Sequence, residues 1–199
     1  MSYTAGFDLN EGFVVSAYSF KTSIVAGIVA SEGVVACPAE AVWGLSCDPF
    51  SASAVMALLA LKERPVHKGL IVVAADPTMF APLLEGLTDV ERARVRVSWP
   101  GPNTWLVPNN GYFPPWVTGD SSEVAIRVTS APALIDLSNA VSGPIVSTSA
   151  NPAGAPPARW GFQVVRYFGP ELPRSVGGVD LSAKPSTIRR VSTGEVLRA

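Results

Sequence analysis

The chain has 199 residues, 48% of them hydrophobic and only 16% charged, with a net charge of −1 at pH 7. That is enough apolar material for one domain with a sizeable core, and too little basic excess for bulk nucleic-acid binding through a positive face. Two cysteines and a single histidine fall short of a structural zinc site.

Residues Met1 to Glu11 are polar and partly acidic, unlike a secretory signal. The apolar runs are strand-length and broken by Gly, Pro or charge, so no membrane span is expected, and the location expected is cytoplasmic. Cys37 and Cys47 then read as free thiols in a reducing compartment.

In chain order, Ile24, Val25, Ile28 and Val29 recur at helical spacing, predicting a helix from about Phe20 to Ala30 that Gly33 closes. Val34 to Cys37 reads as a buried strand. Asp48 or Ser51 can cap the next helix, whose apolar face is Val55, Met56, Leu58 and Leu59. Leu70 to Ala74 is a strand, and Phe80, Leu83 and Leu84 suggest a short helix after Pro77. Thr88-Asp89-Val90-Glu91 is a capping box opening a helix to about Val97. Strands are expected over Thr104–Val107, Val124–Val128 and Ile145–Ser147, with a helix Pro132–Ala140 between the last two. A helix near Gly161–Phe168 and short strands near Thr187–Val191 and Glu195–Leu197 complete the series. Val107 to Asp120 is the most loop-like stretch. Interleaved helices and strands without a long linker indicate a single α/β domain, 19–199, behind an N-terminal extension of residues 1–18.

Lys62, Arg64, His67 and Lys68 place four potentially cationic side chains within seven positions of a charge-poor chain. The segment joins a helix to a strand, a position that puts a loop at the edge of a rigid sheet. Phosphate suits such a cluster, since Arg offers a planar fork of donors and Lys a mobile point charge. The plainer alternative is a solvated helix C-terminus complementing the helix dipole. Downstream, Ser147-Thr148-Ser149-Ala150-Asn151-Pro152 ends a strand in a hydroxyl-rich turn, which either satisfies local backbone groups or cradles a polar ligand. Walker, dinucleotide-binding and nucleophile-elbow signatures are missing. His67, beside two lysines and an arginine, is a poor general base.

Lys62-x-Arg64 with Lys68, followed far downstream by Ser149-x-Asn151, resembles the YrdC family of threonylcarbamoyl-AMP synthases. Further matching segments are Pro38–Leu45, Cys47-Asp48-Pro49, Trp99–Pro102, Val124–Val128 and Pro185–Ile188, in the family's order. The resemblance, closest to the short bacterial single-domain branch, implies an α/β fold: a twisted, largely mixed sheet flanked by helices, with a basic concave cavity. It implies synthesis of threonylcarbamoyl-AMP and pyrophosphate from L-threonine, bicarbonate and ATP. ATP is then a substrate, accompanied by Mg²⁺ held mostly by the phosphates, and no tightly bound cofactor is implied. The product would supply a separate tRNA-modifying transferase complex.

By the same resemblance, Lys62, Arg64 and Lys68 face the triphosphate, with Lys62 and Arg64 catalytic, and Asn151, Arg159 and Arg198 contact ATP. Arg127 pairs with the threonine carboxylate; its structural alternative is a salt bridge to Glu123 or Asp120. Ser149 and Ser186 line the threonine pocket together with position 39, and Ser147 is a mostly structural neighbour. Glu40 either orients a cation, assists Mg²⁺ or is solvated. Gly44 supplies a positive-φ or close-approach position near Pro38. Where the family has Tyr-Pro-Thr this chain has Cys37-Pro38-Ala39, which opens space and removes one hydroxyl contact. Two rival readings are a non-catalytic double-stranded-RNA-binding module with weak RNA affinity, and a carbamoyl-adenylate enzyme of hydrogenase maturation.

Overall fold

A computed structural model describes residues 17–198. The extension expected over residues 1–18 lies outside the described residues except for Ala17 and Tyr18, which belong to the first helix.

The elements alternate as the apolar spacing requires. They are α1 (Ala17–Ala30), β1 (Val35–Pro38), β2 (Trp43–Ser46), α2 (Ala52–Leu61), β3 (Ile71–Ala74), α3 (Ala81–Leu84), α4 (Asp89–Arg96), β4 (Asn103–Pro108), α5 (Pro115–Thr118), β5 (Glu123–Val128), α6 (Pro132–Ala140), β6 (Ile145–Val146), β7 (Thr148–Ser149), α7 (Gly161–Phe168), β8 (Thr187–Arg190) and β9 (Val196–Arg198). Ser51, rather than Asp48, caps α2 by accepting from the Ala54 amide at 3.2 Å, while Asp48 accepts from the Phe50 amide in the preceding turn. Met56 is 52% exposed; Ala54 takes its expected place on the buried face of α2. Thr88 and Glu91 form the capping box of α4 as expected. The loop-like stretch contains α5, which Pro114 and Pro115 nucleate because a helix's first residues need no N–H donors.

Six strands form a mixed sheet in the order β6-β3-β5-β4-β8-β9; β3–β5 and β4–β8 are parallel and the other pairs antiparallel. Three more, β1-β2-β7, form an antiparallel sheet. Ile145 to Ser149 passes from one sheet to the other, pairing with β3 through β6 and with β2 through β7.

The period-two alternation of strands decides where the site lies. Val72, Ala74, Val124, Ile126, Val128, Trp105 and Val107 point into the main core beneath α2. On the opposite face, Val73 and Ile145 pack with Val25, Val29, Leu134 and Leu137 of α1 and α6. Further along that face Ile71, Ala125, Arg127, Leu106 and Ile188 are not covered by a helix and line a cavity instead.

Candidate functional site

The cavity encloses about 560 Å³. Its floor is the uncovered face of the six-stranded sheet. The turn from Ala39 to Val42, with Gly44 of β2 and Thr148 and Ser149 of β7, forms a second wall, and Lys184 to Ser186 a third. Gly44 is needed for close approach: a Cβ there would lie 3.2 Å from the Thr148 carbonyl oxygen.

Five cationic side chains line this space: Arg64, Lys68, Arg127, Lys184 and Arg198. Among the described residues only Arg127 has an acidic partner; the other four have none. The two lining acids are committed, Glu40 to Arg127 and Glu123 to Arg190. Burial lowers the pKa of Arg198, with the positive charges of Arg127 and Arg64 adding to the effect. The three guanidiniums therefore share one electrostatic field. A cavity with unneutralised cations on one side and hydroxyls on the other is built to take a polyanion.

The basic loop is held rigidly. Arg64 donates through Nη2 to the Gly69 carbonyl at 3.0 Å and the Lys68 carbonyl at 3.3 Å, and its Nε is buried without an acceptor. Gly69, at φ 61°, and Gly119, at φ 64°, let the loop lie backbone to backbone on the end of α5; a Cβ on Gly119 would meet the His67 carbonyl oxygen at 2.3 Å.

Three expected nucleotide contacts do not line the cavity. Lys62 is only 5% exposed, and its ammonium donates to the carbonyls of Ser149 and, at 3.0 Å, Asn151. Burial, then the neighbouring charge of Arg64, lowers its pKa to about 8. It anchors the β7 turn from behind. Asn151 is spent inside that turn, accepting from Ser149 Oγ at 2.6 Å and donating to the Ala155 carbonyl at 2.8 Å. Arg159 reaches outward to the Leu181 carbonyl. In this structure backbone carbonyls accept from all three side chains.

Arg127 is 6% exposed at the cavity floor. Its Nη1 donates to Glu40 Oε2 at 2.5 Å, so the salt bridge it makes is with Glu40 rather than with Glu123 or Asp120, the structural alternative read from sequence. The intended partners were close in sequence; tertiary packing of the β1–β2 turn on β5 supplied the actual one. Nε of Arg127 is buried with no acceptor, and Nη2 has no hydrogen bond among the described residues. A buried donor left unpaired costs roughly 1–3 kcal/mol. Glu40 is held in turn by Thr129 Oγ1 at 2.8 Å and the Ser130 amide at 3.1 Å. Burial would raise its pKa, but Arg127 and Thr129 outweigh that and hold the carboxyl below its ordinary range.

Ser149 and Ser186 do line the cavity, as does Ala39. Ser186 Oγ accepts from Thr104 at 3.0 Å, and its carbonyl from Arg198 at 3.0 Å. Cys37 does not enter the site. It is fully buried among Val25, Val35 and Leu134, where burial pushes its thiol up to about 11. Both cysteines are free and buried. Lys184, Thr118 and Ser121 also line the cavity and were missed; only Lys184, next to Pro185-Ser186-Thr187, carried a sequence signal.

The mixed-sheet fold and this anion-holding cavity define an α/β ligand-binding protein. The family model Sua5_yciO_yrdC, described as "Telomere recombination", matches residues 27–199. The chain is 51% identical over 181 residues to the threonylcarbamoyl-AMP synthase of Pseudomonas aeruginosa, covering 90% of this chain and 97% of that one. It is 49% identical over 179 residues to the threonylcarbamoyl-AMP synthase of Cellvibrio japonicus, covering 89% and 95% respectively. The crystal structure of P. abyssi Sua5 complexed with L-threonine superposes with a TM-score of 0.80 at 26% identity, over 89% of this chain and about half of that one, 52%. The chain belongs to the Sua5/YciO/YrdC family.

Proposed function

We propose that this chain is a threonylcarbamoyl-AMP synthase, a nucleotidyltransferase that joins L-threonine, bicarbonate and ATP and releases pyrophosphate, the product serving threonylcarbamoyl modification of tRNA by a separate transferase complex. The observation that carries this reading is one cavity holding two kinds of anion site. Arg64, Lys68 and Arg198 lack acidic partners, while Arg127 is buried with its Nε unpaired. The first set suits a triphosphate and the second a single carboxylate. The named activity of relatives about half identical over nearly their whole length supports it, as does the L-threonine complex of P. abyssi Sua5.

The chemistry asks little of acid–base groups. The threonine amine, having lost a proton, forms a bond to the bicarbonate carbon with loss of water, and an oxygen of the resulting anionic carbamate forms a bond to the α-phosphorus. The bond from that phosphorus to the oxygen bridging to the β-phosphate breaks, and its electron pair leaves with pyrophosphate. The protein holds two anions together and disperses charge in the transition state. Arg64 and Lys68 neutralise the leaving pyrophosphate; Arg127 holds the threonyl end; Ser149 and Ser186 offer hydroxyls between them. Lys62 acts through the carbonyls of the β7 turn. Mg²⁺ arriving with ATP would be carried by the phosphates, since both lining carboxylates are already held by arginines.

Incubation with ATP, bicarbonate and L-threonine should yield pyrophosphate and threonylcarbamoyl-AMP in equal amounts. Pyrophosphate release that does not depend on threonine would sink the assignment.

A further inference from the structure

A second cavity, of about 650 Å³, lies against the first, and Ala39, Glu40, Pro102, Lys184 and Pro185 line both. Of the five cations in the first cavity, Lys184 alone also lines the second. The acids near it are committed elsewhere: Glu40 to Arg127, and Asp180 to the amide and hydroxyl of Ser182, at 2.8 and 2.6 Å. Strand register places the lysine. β4 runs antiparallel to β5 with Trp105 opposite Ile126, and Asn103 pairs with Thr187 at the start of β8. The segment from Lys184 to Ser186 therefore joins the sheet at the Arg127 end of β5. The loop of Arg64 and Lys68 instead precedes Ile71, which lies opposite Ala125 toward the other end. Lys184 stands with Arg127 and Glu40, away from the basic loop.

We propose that Lys184 holds the bicarbonate ion, where the two cavities meet and beside the amine of the bound amino acid. This deepens, and rests on, the proposed synthase function. That reaction brings three separate anions into one space, and each needs a positive partner to offset repulsion from the other two. Arg64, Lys68 and Arg198 serve the triphosphate and Arg127 the amino-acid carboxylate, which leaves Lys184 as the remaining cation of the cavity. The chemistry asks for the same place. The amine nitrogen bonds to the bicarbonate carbon while one carbon–oxygen bond breaks and its oxygen leaves as water, so bicarbonate must lie next to the amine. A mobile ammonium suits a small oxyanion that is consumed at every turnover, whereas a rigid guanidinium fork suits a carboxylate held throughout. No residue of the basic loop lines the second cavity, so an anion reaching Lys184 through it does not pass the triphosphate.

The test is steady-state pyrophosphate release by the full chain, in buffer stripped of carbon dioxide with bicarbonate added back. Lys184→Ala should raise KM for bicarbonate by about 5- to 20-fold, the loss of one charge-assisted hydrogen bond at an exposed side chain, while KM for ATP and for threonine move by no more than about 2-fold. Lys184→Met, which keeps most of the length without the charge, should behave like Lys184→Ala, and Lys184→Arg should recover most of the wild-type value. An unchanged KM for bicarbonate in Lys184→Ala would overturn the proposal. So would a rise confined to ATP, which assigns the lysine to the phosphates, or an equal rise for all three substrates. A wild-type chain whose pyrophosphate release is independent of bicarbonate would overturn the synthase reading itself, and the proposal with it.

Discussion

Arg64 illustrates how a single side chain serves geometry and charge together. Its Nη2 bonds fold the loop onto itself, and the residue lines the cavity beside Lys68. Arg64→Ala should lower turnover by roughly two to three orders of magnitude, the common cost of losing a transition-state charge partner, with the melting temperature little changed. Steady-state pyrophosphate release checks it, and near wild-type turnover would remove Arg64 from the machinery. Ala39 lines the cavity beside Glu40, and under the proposed function a threonine there would add a hydroxyl toward the amino-acid substrate. Ala39→Thr should lower KM for threonine by roughly 2- to 12-fold, the worth of one neutral hydrogen bond, and leave KM for ATP unchanged. Initial rates at varied threonine decide this; a raised KM means the position is too crowded for the extra atoms. Lys62 carries a pH signature. Its folded pKa of about 8 lies below the ordinary 10.5, so between those values the unfolded chain binds more protons and stability rises with pH. Below pH 8 the ammonium is charged in both states and its burial penalty is fully present. The stability of wild type relative to Lys62→Met should therefore grow from about pH 8 toward 10.5. Urea unfolding of both proteins across that range tests the sign; a flat difference means Lys62 titrates normally.

At the scale of elements, the contact between the basic loop and α5 is the sharpest determinant of cavity shape. The loop carrying Arg64 and Lys68 has no strand pairing of its own. It is positioned by the Leu70 amide on the Val117 carbonyl at 2.8 Å, the Asp120 amide on the His67 carbonyl at 3.3 Å, and the bare Cα of Gly119 against His67. Gly119→Ala combines a positive φ with a Cβ inside van der Waals contact of backbone, so the loop must move. The variant should lose about 1–3 kcal/mol of stability and raise KM for ATP more than KM for threonine, because Arg127 sits on β5 away from the displaced loop. Equal effects on the two substrates would show that the loop does not act on the nucleotide alone. The passage of Ile145–Ser149 between sheets is the other such determinant. It carries Ser149 to the cavity and offers the carbonyl that Lys62 grips.

For the whole molecule, the site is where two sheets meet, and its cations repel one another until an anion arrives. Burial and mutual charge both lower the pKa of Arg198, and a bound anion would offset that repulsion. ATP at about 100 times its dissociation constant should stabilise the fold by roughly 2.7 kcal/mol, and the gain should shrink as salt is raised from 50 to 500 mM because exposed Lys68 and Lys184 are screened. Thermal unfolding with and without nucleotide measures both; a salt-independent gain would mean that the exposed lysines take no part.

The sequence by itself determined the local structure. Periodicity located α1, α2, α4 and α6 and the strands β3, β4 and β5, and the capping box opening α4 follows from hydrogen bonds between near neighbours. An ordered set of motifs also names Arg64, Lys68, Arg127, Ser149, Ser186 and Arg198, and all six line one cavity. Short strands were not legible: β7 has two residues, and no periodicity exists at that length. Tertiary structure alone decided the partners. Arg127 could meet any acid until the β1–β2 turn brought Glu40 to it across 87 residues, and Lys62, one residue past the end of α2, reaches carbonyls 87 and 89 residues away. A long cationic side chain reaches several acceptors at once in energy terms, and only the packing of distant segments selects among them.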